Sequence, residues 1–264
     1  MSAGISEDAR TAIRRVAASD SLLVALDFDG TLADLVDDPM EARMLPAARA
    51  AVDALVAAPD TTVAFVSGRS LADLRVIAEH LDTSQVLLAG SHGAEFWIPG
   101  EGIVTHEEDL EDAGLRDALR AHAVEATGHL EGIWIEPKTF GFGVHTRRAA
   151  PADADEANRL VDALVQSEAP HWRRRTGHNI IEYAFRHEGK DSAIAELRGR
   201  TGATAVLFAG DDVTDEDALR SLDDTDLGVH VGARETAASL TVPDIATLAA
   251  VLTQLASERV ASLE

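Results

Sequence analysis

Two aspartates that directly follow an apolar segment constrain this chain more than any other feature. Residues Leu22–Leu26 (Leu-Leu-Val-Ala-Leu) predict a buried strand, and Asp27-Phe28-Asp29-Gly30-Thr31-Leu32 comes next. Because ligands bind outside the carboxyl ends of the strands in an open α/β sheet, Asp27 and Asp29 are predicted to lie at the mouth of a site. Two clustered carboxylates are costly unless a cation or a shared proton relieves them. The segment therefore predicts a metal ion, a shared proton or both.

The N-terminal part of the chain alternates helical and apolar extended patterns. After an amphipathic helix within residues 1–20, helical spacing covers Pro46–Ala57 and the stretch from Ser70 to about His80. Thr61–Val66 and Val86–Ala89 have the composition of buried strands. This order of strands and helices predicts a parallel sheet with helices on its faces.

The pattern changes between residues 106 and 187 and then returns. Two helical segments and two pairs of extended segments are predicted there: His106 to about Ala126, Pro151–Gln166, Gly132–Glu136 with Thr139–Thr146, and His171–Arg175 with Asn179–Phe185. After Gly189-Lys190 the first pattern resumes, with strands at Ala205–Ala209 and Asp226–Val231 and a final helix at Val242–Glu258. We therefore predict an α/β fold, with a Rossmann-like core (residues 1–105 and 188–264) and an inserted α+β cap domain (106–187) that determines substrate specificity.

Composition excludes several classes of function. The chain has 264 residues, with 46 acidic and 23 basic side chains and a formal charge of −23. Nucleic acid and anionic membranes both require basic surface, so neither is expected as a partner. The absence of cysteine excludes disulfides, thiolate metal sites and cysteine nucleophiles. No apolar segment approaches the length of a membrane helix and no signal core is seen, so we expect a cytoplasmic enzyme.

Four polar clusters fall at predicted strand ends or helix starts: Asp27/Asp29/Thr31, Ser67-Gly68-Arg69, Lys190, and Asp211/Asp212/Asp215. Each has an ordinary interpretation by itself, as a solvated turn, a strand-to-helix connection, a surface lysine or an acidic helix start. A calcium loop starting at Asp27 is disfavoured, because its glycine is at the fourth position instead of the sixth. Their joint order and placement predict that the clusters form one site.

Together these clusters resemble the four motifs of the haloacid-dehalogenase (HAD)-type phosphatase superfamily. The resemblance implies that Asp27 is a nucleophile that forms an aspartyl-phosphate, and that Asp29 is the general acid and then the general base. It also implies that Ser67 holds a phosphoryl oxygen and that Lys190 neutralises the nucleophile and the phosphoryl group. Carboxylates, a carbonyl and water suit Mg²⁺, and the implied metal set is Asp27, Asp29, Asp211 and Asp215.

The second aspartate carries information about the leaving group. A sugar alkoxide is a poor leaving group and needs a proton, whereas superfamily ATPases, whose leaving group is good, carry threonine at this position. Asp29 therefore favours a phosphomonoesterase or phosphomutase that acts on an alcohol phosphate.

A second resemblance covers the chain from about Leu22 to Leu255. The segments Gly90-Ser91-His92-Gly93-Ala94-Glu95, Glu136-Pro137-Lys138, His145-Thr146-Arg147 and the acidic stretch from Gly210 to Asp217 are similar to those of the trehalose-6-phosphate phosphatase family. The resemblance implies a substrate-binding set of Thr31, Gly68, Arg69, His92, Glu95, Glu136, Lys138, His145, Arg147 and Glu182. Two departures are present: Phe28 replaces a frequent tyrosine, and Tyr183-Ala184-Phe185 follows Glu182. From the residues alone, Glu136, Lys138, His145 and Arg147 could also be the solvated face of a hairpin.

The expected function is therefore Mg²⁺-dependent hydrolysis of trehalose 6-phosphate to trehalose and phosphate. Three alternatives stay open: a phosphatase for another sugar phosphate (sucrose, glucosylglycerol or mannosylglycerate phosphate), a non-catalytic sugar-phosphate sensor, and a calcium-binding module. The family resemblance also implies a functional pairing with a trehalose-6-phosphate synthase, and the protein is expected to be a monomer.

Overall fold

The computed structural model describes residues 7–105, 110–177 and 179–261. Numbered in chain order, its strands are β1 Leu22–Leu26, β2 Thr61–Val66, β3 Leu87–Gly90, β4 Glu95–Ile98, β5 Gly102–Thr105, β6 Trp134–Lys138, β7 Gly141–His145, β8 Arg173–Gly177, β9 Ile180–Ala184, β10 Ala205–Gly210, β11 Leu227–Val231 and β12 Leu240–Val242. Its helices are α1 Glu7–Ala17, α2 Pro46–Val56, α3 Leu71–Ile77, α4 Leu110–Thr127, α5 Pro151–Glu168, α6 Lys190–Thr201, α7 Glu216–Ser221 and α8 Ile245–Ala261.

The chain divides into two compact units. The first unit is Met1–Thr105 with Glu188–Glu264, and the second is His106–His187. That residues 106–187 act as a cap domain that determines substrate specificity stays a prediction.

A large sheet forms the centre of the first unit. Within the described ranges it has eight strands in the order β12-β11-β10-β1-β2-β3-β4-β5. The strands from β12 to β3 run parallel, whereas β4 and β5 pair antiparallel at the edge. The predicted α/β class, a parallel sheet flanked by helices, is confirmed. Strands β4, β5 and β12 were not predicted from the sequence.

Helices cover both faces of this sheet, and local signals fix where they begin. Pro46 is the first residue of α2, where its fixed φ suits a helix and its missing N–H costs nothing. Ser70 caps α3 by accepting a hydrogen bond from the N–H of Asp73. One apolar core includes side chains of α1, α2, α3 and α8, and the other includes side chains of α6 and α7. Strand β1 is buried along its whole length because it contributes to both cores.

The second unit is an antiparallel sheet with two helices. Its four strands lie in the order β6-β7-β9-β8 within the described residues, and α4 packs against α5. Phe142 and Tyr183 pair across β7 and β9 on the helix-covered face, where the Tyr183 hydroxyl donates to Asp162 of α5. The predicted start of α4 at His106 lies outside the described residues. No helix in the described part of the chain has the length and apolar character needed to cross a bilayer.

Candidate active site

Asp27 lies at the carboxyl end of β1, the strand buried in both cores, and its side chain is buried. The neighbouring parallel strands β10 and β2 are followed directly by Asp211 and Ser67. Because the carboxyl ends of parallel strands meet at one edge of a sheet, the topology places Asp27, Asp211 and Ser67 at the same edge.

Lys190 joins two of the buried carboxylates. It is the first residue of α6, and its Nζ donates hydrogen bonds to Oδ1 of Asp27 (2.6 Å) and Oδ1 of Asp215 (2.5 Å). The other oxygen of Asp215 accepts from the backbone N–H groups of Asp211 (3.0 Å) and Asp212 (2.9 Å). Asp215 therefore fixes both the lysine and the turn that carries Asp211.

Three carboxylates form a group that could hold a metal ion. One oxygen from each of Asp27, Asp211 and Asp215 lies within 4.8 Å of the others. Only one ammonium, that of Lys190, is hydrogen-bonded to this group in the described residues. The negative charges therefore exceed the bonded positive charge, and hard oxygen donors of this kind suit Mg²⁺ or a similar divalent cation.

The same excess of negative charge appears in the pKa values. Burial raises the pKa of Asp27 well above its usual value, and the charges of Asp215 and Asp211 add to this against the opposing effect of Lys190. Burial, reinforced by Asp215, raises the pKa of Asp211 to about 7. Burial lowers the pKa of Lys190, but the charges of Asp215 and Asp27 outweigh it and hold that pKa above its usual value. An additional cation would favour the ionised form of both aspartates.

Asp29 has a different partner from Asp27. Both of its carboxylate oxygens accept hydrogen bonds from Arg69, from Nε to Oδ2 and from Nη2 to Oδ1, each at 2.6 Å. Among the described residues the carboxylate of Asp29 is not part of the three-carboxylate group. Its role as a metal ligand stays a prediction, and the structure places this side chain with the Ser67-Gly68-Arg69 turn.

Glycine and threonine complete the turn after β1. Gly30 has a φ of +78°, and a Cβ added to it would lie 2.1 Å from Oδ2 of Asp211. Glycine is therefore required here by both backbone conformation and space. The Thr31 hydroxyl lies 3.4 Å from Oδ2 of Asp27, at the far end of hydrogen-bond range.

His92 and Glu95 lie beside the Ser67-Gly68-Arg69 turn. A Cβ on Gly68 would come within 2.6 Å of the His92 ring, and the His92 N–H donates to the Ser67 carbonyl (2.9 Å). Buried Glu95 accepts from the N–H of Leu71 (2.8 Å) and from the Ser91 hydroxyl (3.3 Å). These contacts brace the loop, so both residues have structural partners in addition to their predicted binding role.

The second unit brings together four of its predicted residues on the sheet face opposite α4 and α5. Lys138 Nζ lies 3.1 Å from Oε2 of Glu136 and 2.8 Å from Oε1 of Glu182, and His145 Nε2 lies 2.9 Å from the same Glu136 oxygen. Burial raises the pKa of Glu136, but the hydrogen bond from His145 and the charge of Lys138 outweigh it and leave that pKa lowered. Lys138 shows the converse: burial lowers its pKa, while Glu182 and Glu136 raise it above the usual value.

Arg147 is the predicted cap residue that the structure places apart. It is exposed in the turn after β7, and among the described residues no ion pair joins it to the other four. Conversely, sequence reasoning missed Trp134, which stacks on His145 with ring centroids 4.7 Å apart. The alternation along β6, which puts residues 134, 136 and 138 on one face, was the signal that could have revealed it.

Known proteins resemble this chain over most of its length. The family model described as trehalose-phosphatase matches residues 25–248. A trehalose-phosphate phosphatase of Mycobacterium avium is 36% identical over 206 residues, which cover 74% of this chain and 50% of that protein. The chain thus spans about half the length of that curated relative.

Solved structures agree on the fold. The C-terminal domain of a C. albicans trehalose-6-phosphate phosphatase aligns with a TM-score of 0.79 at 21% identity, covering 95% of this chain and 97% of that one. A haloacid-dehalogenase-like hydrolase from B. subtilis aligns with a TM-score of 0.59 at 15% identity, covering 88% and 98%. The fold is that of the HAD superfamily, and the family match over residues 25–248 establishes that the chain belongs to the trehalose-phosphatase family.

Proposed function

We propose that this protein is a phosphatase that hydrolyses trehalose 6-phosphate to trehalose and inorganic phosphate. The observation that carries the proposal is the buried Asp27–Lys190–Asp215 arrangement at the end of β1, with Asp29 two residues further on. A nucleophile beside a separate acid is a catalytic arrangement, whereas a sugar-phosphate sensor needs only binding groups. Membership of the trehalose-phosphatase family supports trehalose 6-phosphate as the substrate.

The proposed reaction has two displacements at phosphorus. An oxygen of Asp27 attacks the phosphoryl group, and the bond from phosphorus to the sugar oxygen breaks while Asp29 donates a proton to that oxygen. Asp29 then removes a proton from water, and the water oxygen attacks the aspartyl-phosphate. Phosphate leaves and Asp27 is regenerated as a carboxylate.

Neighbouring groups have supporting roles in this proposal. Lys190 neutralises Asp27 and the transferring phosphoryl group, and the Ser67 hydroxyl holds a phosphoryl oxygen. Arg69 holds Asp29 in place in the free protein through its two hydrogen bonds.

The donor set fits Mg²⁺, which we propose as the cofactor. Asp27 and Asp211 would provide carboxylate ligands, and Asp215 would contribute directly or by fixing the Asp211 turn. When bound, Mg²⁺ would offset negative charge on the carboxylates and on the phosphoryl oxygens.

We further propose that the second unit, residues 106–187, recognises the sugar. Glu136 and Glu182 would accept hydrogen bonds from sugar hydroxyls, while Lys138 would donate, and His145 would orient Glu136. Arg147, which forms no ion pair with this group among the described residues, is also proposed to contact the substrate. The proposed binding set is completed by Thr31, Gly68, Arg69, His92 and Glu95.

Phosphate release from a panel of substrates tests the function. The panel contains trehalose 6-phosphate, sucrose 6-phosphate, glucose 6-phosphate, glucosylglycerol phosphate, mannosylglycerate phosphate and an aryl phosphate, each with Mg²⁺ and with chelator. Preference for trehalose 6-phosphate that is lost with chelator, and lost in Asp27→Asn, is expected. Turnover of another sugar phosphate instead would preserve the chemistry and reject the substrate, whereas retained activity in Asp27→Asn would reject the nucleophile.

The proposed partners follow from the reaction. A synthase that makes trehalose 6-phosphate must supply the substrate, so we propose functional pairing with such an enzyme in the cytoplasm. We also propose that the chain acts as a monomer, which light scattering of the purified protein would test.

A further inference from the structure

Trp134 is an exposed aromatic side chain beside the acidic group of the second unit. It is 52% exposed, whereas the other two tryptophans of the chain, Trp97 and Trp172, are 3% and 6% exposed. The indole is therefore accessible to a ligand, and tryptophan is enriched at binding interfaces because its ring is apolar while its N–H can donate a hydrogen bond.

The indole is held in a defined orientation. Its ring stacks on the His145 imidazole at a centroid distance of 4.7 Å and an interplanar angle of 24°. His145 is itself bonded to Glu136 through Nε2 at 2.9 Å. Because His145 holds the Trp134 ring and Glu136 holds His145, the Trp134 side chain loses little conformational entropy when a ligand binds.

The strand register places hydrogen-bonding groups on the same face as the indole. Trp134, Glu136 and Lys138 alternate along β6, and Gly143 of β7 pairs with both Glu136 and Glu182. Gly143 brings no side chain to this face, and a Cβ there would lie 3.4 Å from Oε2 of Glu136. Ile180 Cδ1 would lie 3.0 Å from the same Cβ, so the side chains of Glu136 and Ile180 pack over Gly143, and the aromatic ring of Trp134 lies on the edge strand of this face.

This combination matches the surface of an uncharged pyranose ring. The equatorial hydroxyls of glucose bond to carboxylates and ammonium groups, and its axial C–H groups form an apolar face that packs against an aromatic ring. Arg175 of β8 is the register partner of Glu182 and lies on the same face, so the face offers cationic donors as well as carboxylate acceptors. In the proposed reaction the phosphoryl group is transferred to Asp27 of the first unit, so we assign this group to the ring that carries no phosphate.

We propose that Trp134 is a specificity-determining residue that stacks against the unphosphorylated glucose ring of trehalose 6-phosphate. The inference rests on the proposed function and adds to it a residue that selects a disaccharide phosphate over a monosaccharide phosphate.

Steady-state kinetics of Trp134→Ala and Trp134→Phe test the inference. For Trp134→Ala, KM for trehalose 6-phosphate rises about tenfold, which corresponds to the loss of one aromatic contact, and kcat changes little. Kinetics with glucose 6-phosphate stay unchanged, and Trp134→Phe recovers most of the affinity. Val124→Ala, an equally exposed apolar residue on α4, is the matched control and has wild-type kinetics. An unchanged KM in Trp134→Ala, or equal losses on both substrates, would overturn the inference.

Intrinsic fluorescence gives a readout that does not depend on turnover. Titration with trehalose changes the emission of the wild-type protein in a saturable way, and Trp134→Phe, which retains the two buried tryptophans, shows no such change. A saturable change that persists in Trp134→Phe contradicts the inference. Failure of the wild type to hydrolyse trehalose 6-phosphate overturns the proposed function, whereas normal hydrolysis with unaltered Trp134→Ala kinetics overturns the stacking role alone.

Discussion

At the scale of single residues, Gly30 is the position where the smallest change should have a large effect. Its φ of +78° is unfavourable for any side chain, and an added Cβ would lie 2.1 Å from Oδ2 of Asp211. Gly30→Ala should therefore displace Asp211 and lower kcat on the order of 100-fold, as expected for a misplacement of about 1 Å. Gly100→Ala is the matched control, because Gly100 has a φ of +83° but no atom within 4 Å of the added Cβ. If kcat fell equally in the two variants, the effect would come from the strained backbone conformation and not from displacement of Asp211.

Asp29 should be distinguishable from Asp27 by its dependence on the leaving group. Asp29→Asn keeps the shape of the side chain but cannot donate a proton to the sugar oxygen. Turnover of trehalose 6-phosphate should fall by about 10²- to 10⁴-fold, the usual contribution of general acid catalysis. An aryl phosphate, whose leaving group needs no proton, should lose much less. The comparison of kcat for the two substrates is the test, and parallel losses would contradict the acid role.

From the sequence, the places of the site residues in the fold were easier to predict than their hydrogen-bond partners. Asp27, Ser67 and Asp211 could be placed at one edge because each directly follows an apolar strand. The bidentate contact between Arg69 and Asp29 could not be predicted, because a rotamer depends on neighbours that are distant in the sequence. The two contacts of Asp215 to backbone N–H groups were hidden for the same reason.

At the scale of secondary structure elements, the differences from prediction have local causes. Helix α3 ends at Ile77, earlier than about His80, because Glu79 adopts a φ of +54° that no helix accommodates. Strand β6 continues through Pro137 because it is an edge strand of its sheet, where a missing N–H is tolerated. The hairpin of β4 and β5 was missed although Pro99-Gly100 is a turn signal between apolar segments.

The lowered pKa of Glu136 predicts a pH dependence of stability. Its folded-state pKa lies below the ordinary value of 4.5, so its contribution is present above that pH and is lost as the pH falls through the folded pKa. Glu136→Gln should lower the free energy of unfolding by about 1.5–3 kcal/mol at pH 7, as for a hydrogen bond to a charged group. The difference from wild type should shrink below pH 4.5 in urea titrations.

Glu125→Gln, an exposed change on α4, controls for the loss of one negative charge and should differ little from wild type at every pH. A wild-type minus Glu136→Gln difference that stays constant between pH 7 and pH 4 would show that the ion pairs of this group contribute no pH-dependent stability.

At the scale of the whole molecule, the chain combines a unit built on a mostly parallel sheet with an inserted unit built on an antiparallel sheet. Both units carry clustered carboxylates, but among the described residues only the first has the three-carboxylate group, beside the proposed nucleophile and acid. The antiparallel sheet of the second unit has ion pairs that hold its hydrogen-bonding side chains in place. Its described residues include no three-carboxylate group. In the proposed function, catalysis and sugar recognition would therefore depend on differently built groups of side chains in one chain.

The overall charge predicts how salt affects the proposed reaction. A protein with a formal charge of −23 repels a phosphate dianion at long range, although Lys190 and Arg69 attract it close to the site. Because the Debye length falls to about 8 Å at physiological ionic strength, added salt screens the long-range repulsion more than the short contacts. With Mg²⁺ kept saturating, kcat/KM for trehalose 6-phosphate should therefore rise as KCl is increased from low to physiological concentration. The affinity for uncharged trehalose, measured in the same buffers, should stay constant. A fall in kcat/KM would mean that a local positive field around the site guides the substrate despite the net charge of the molecule.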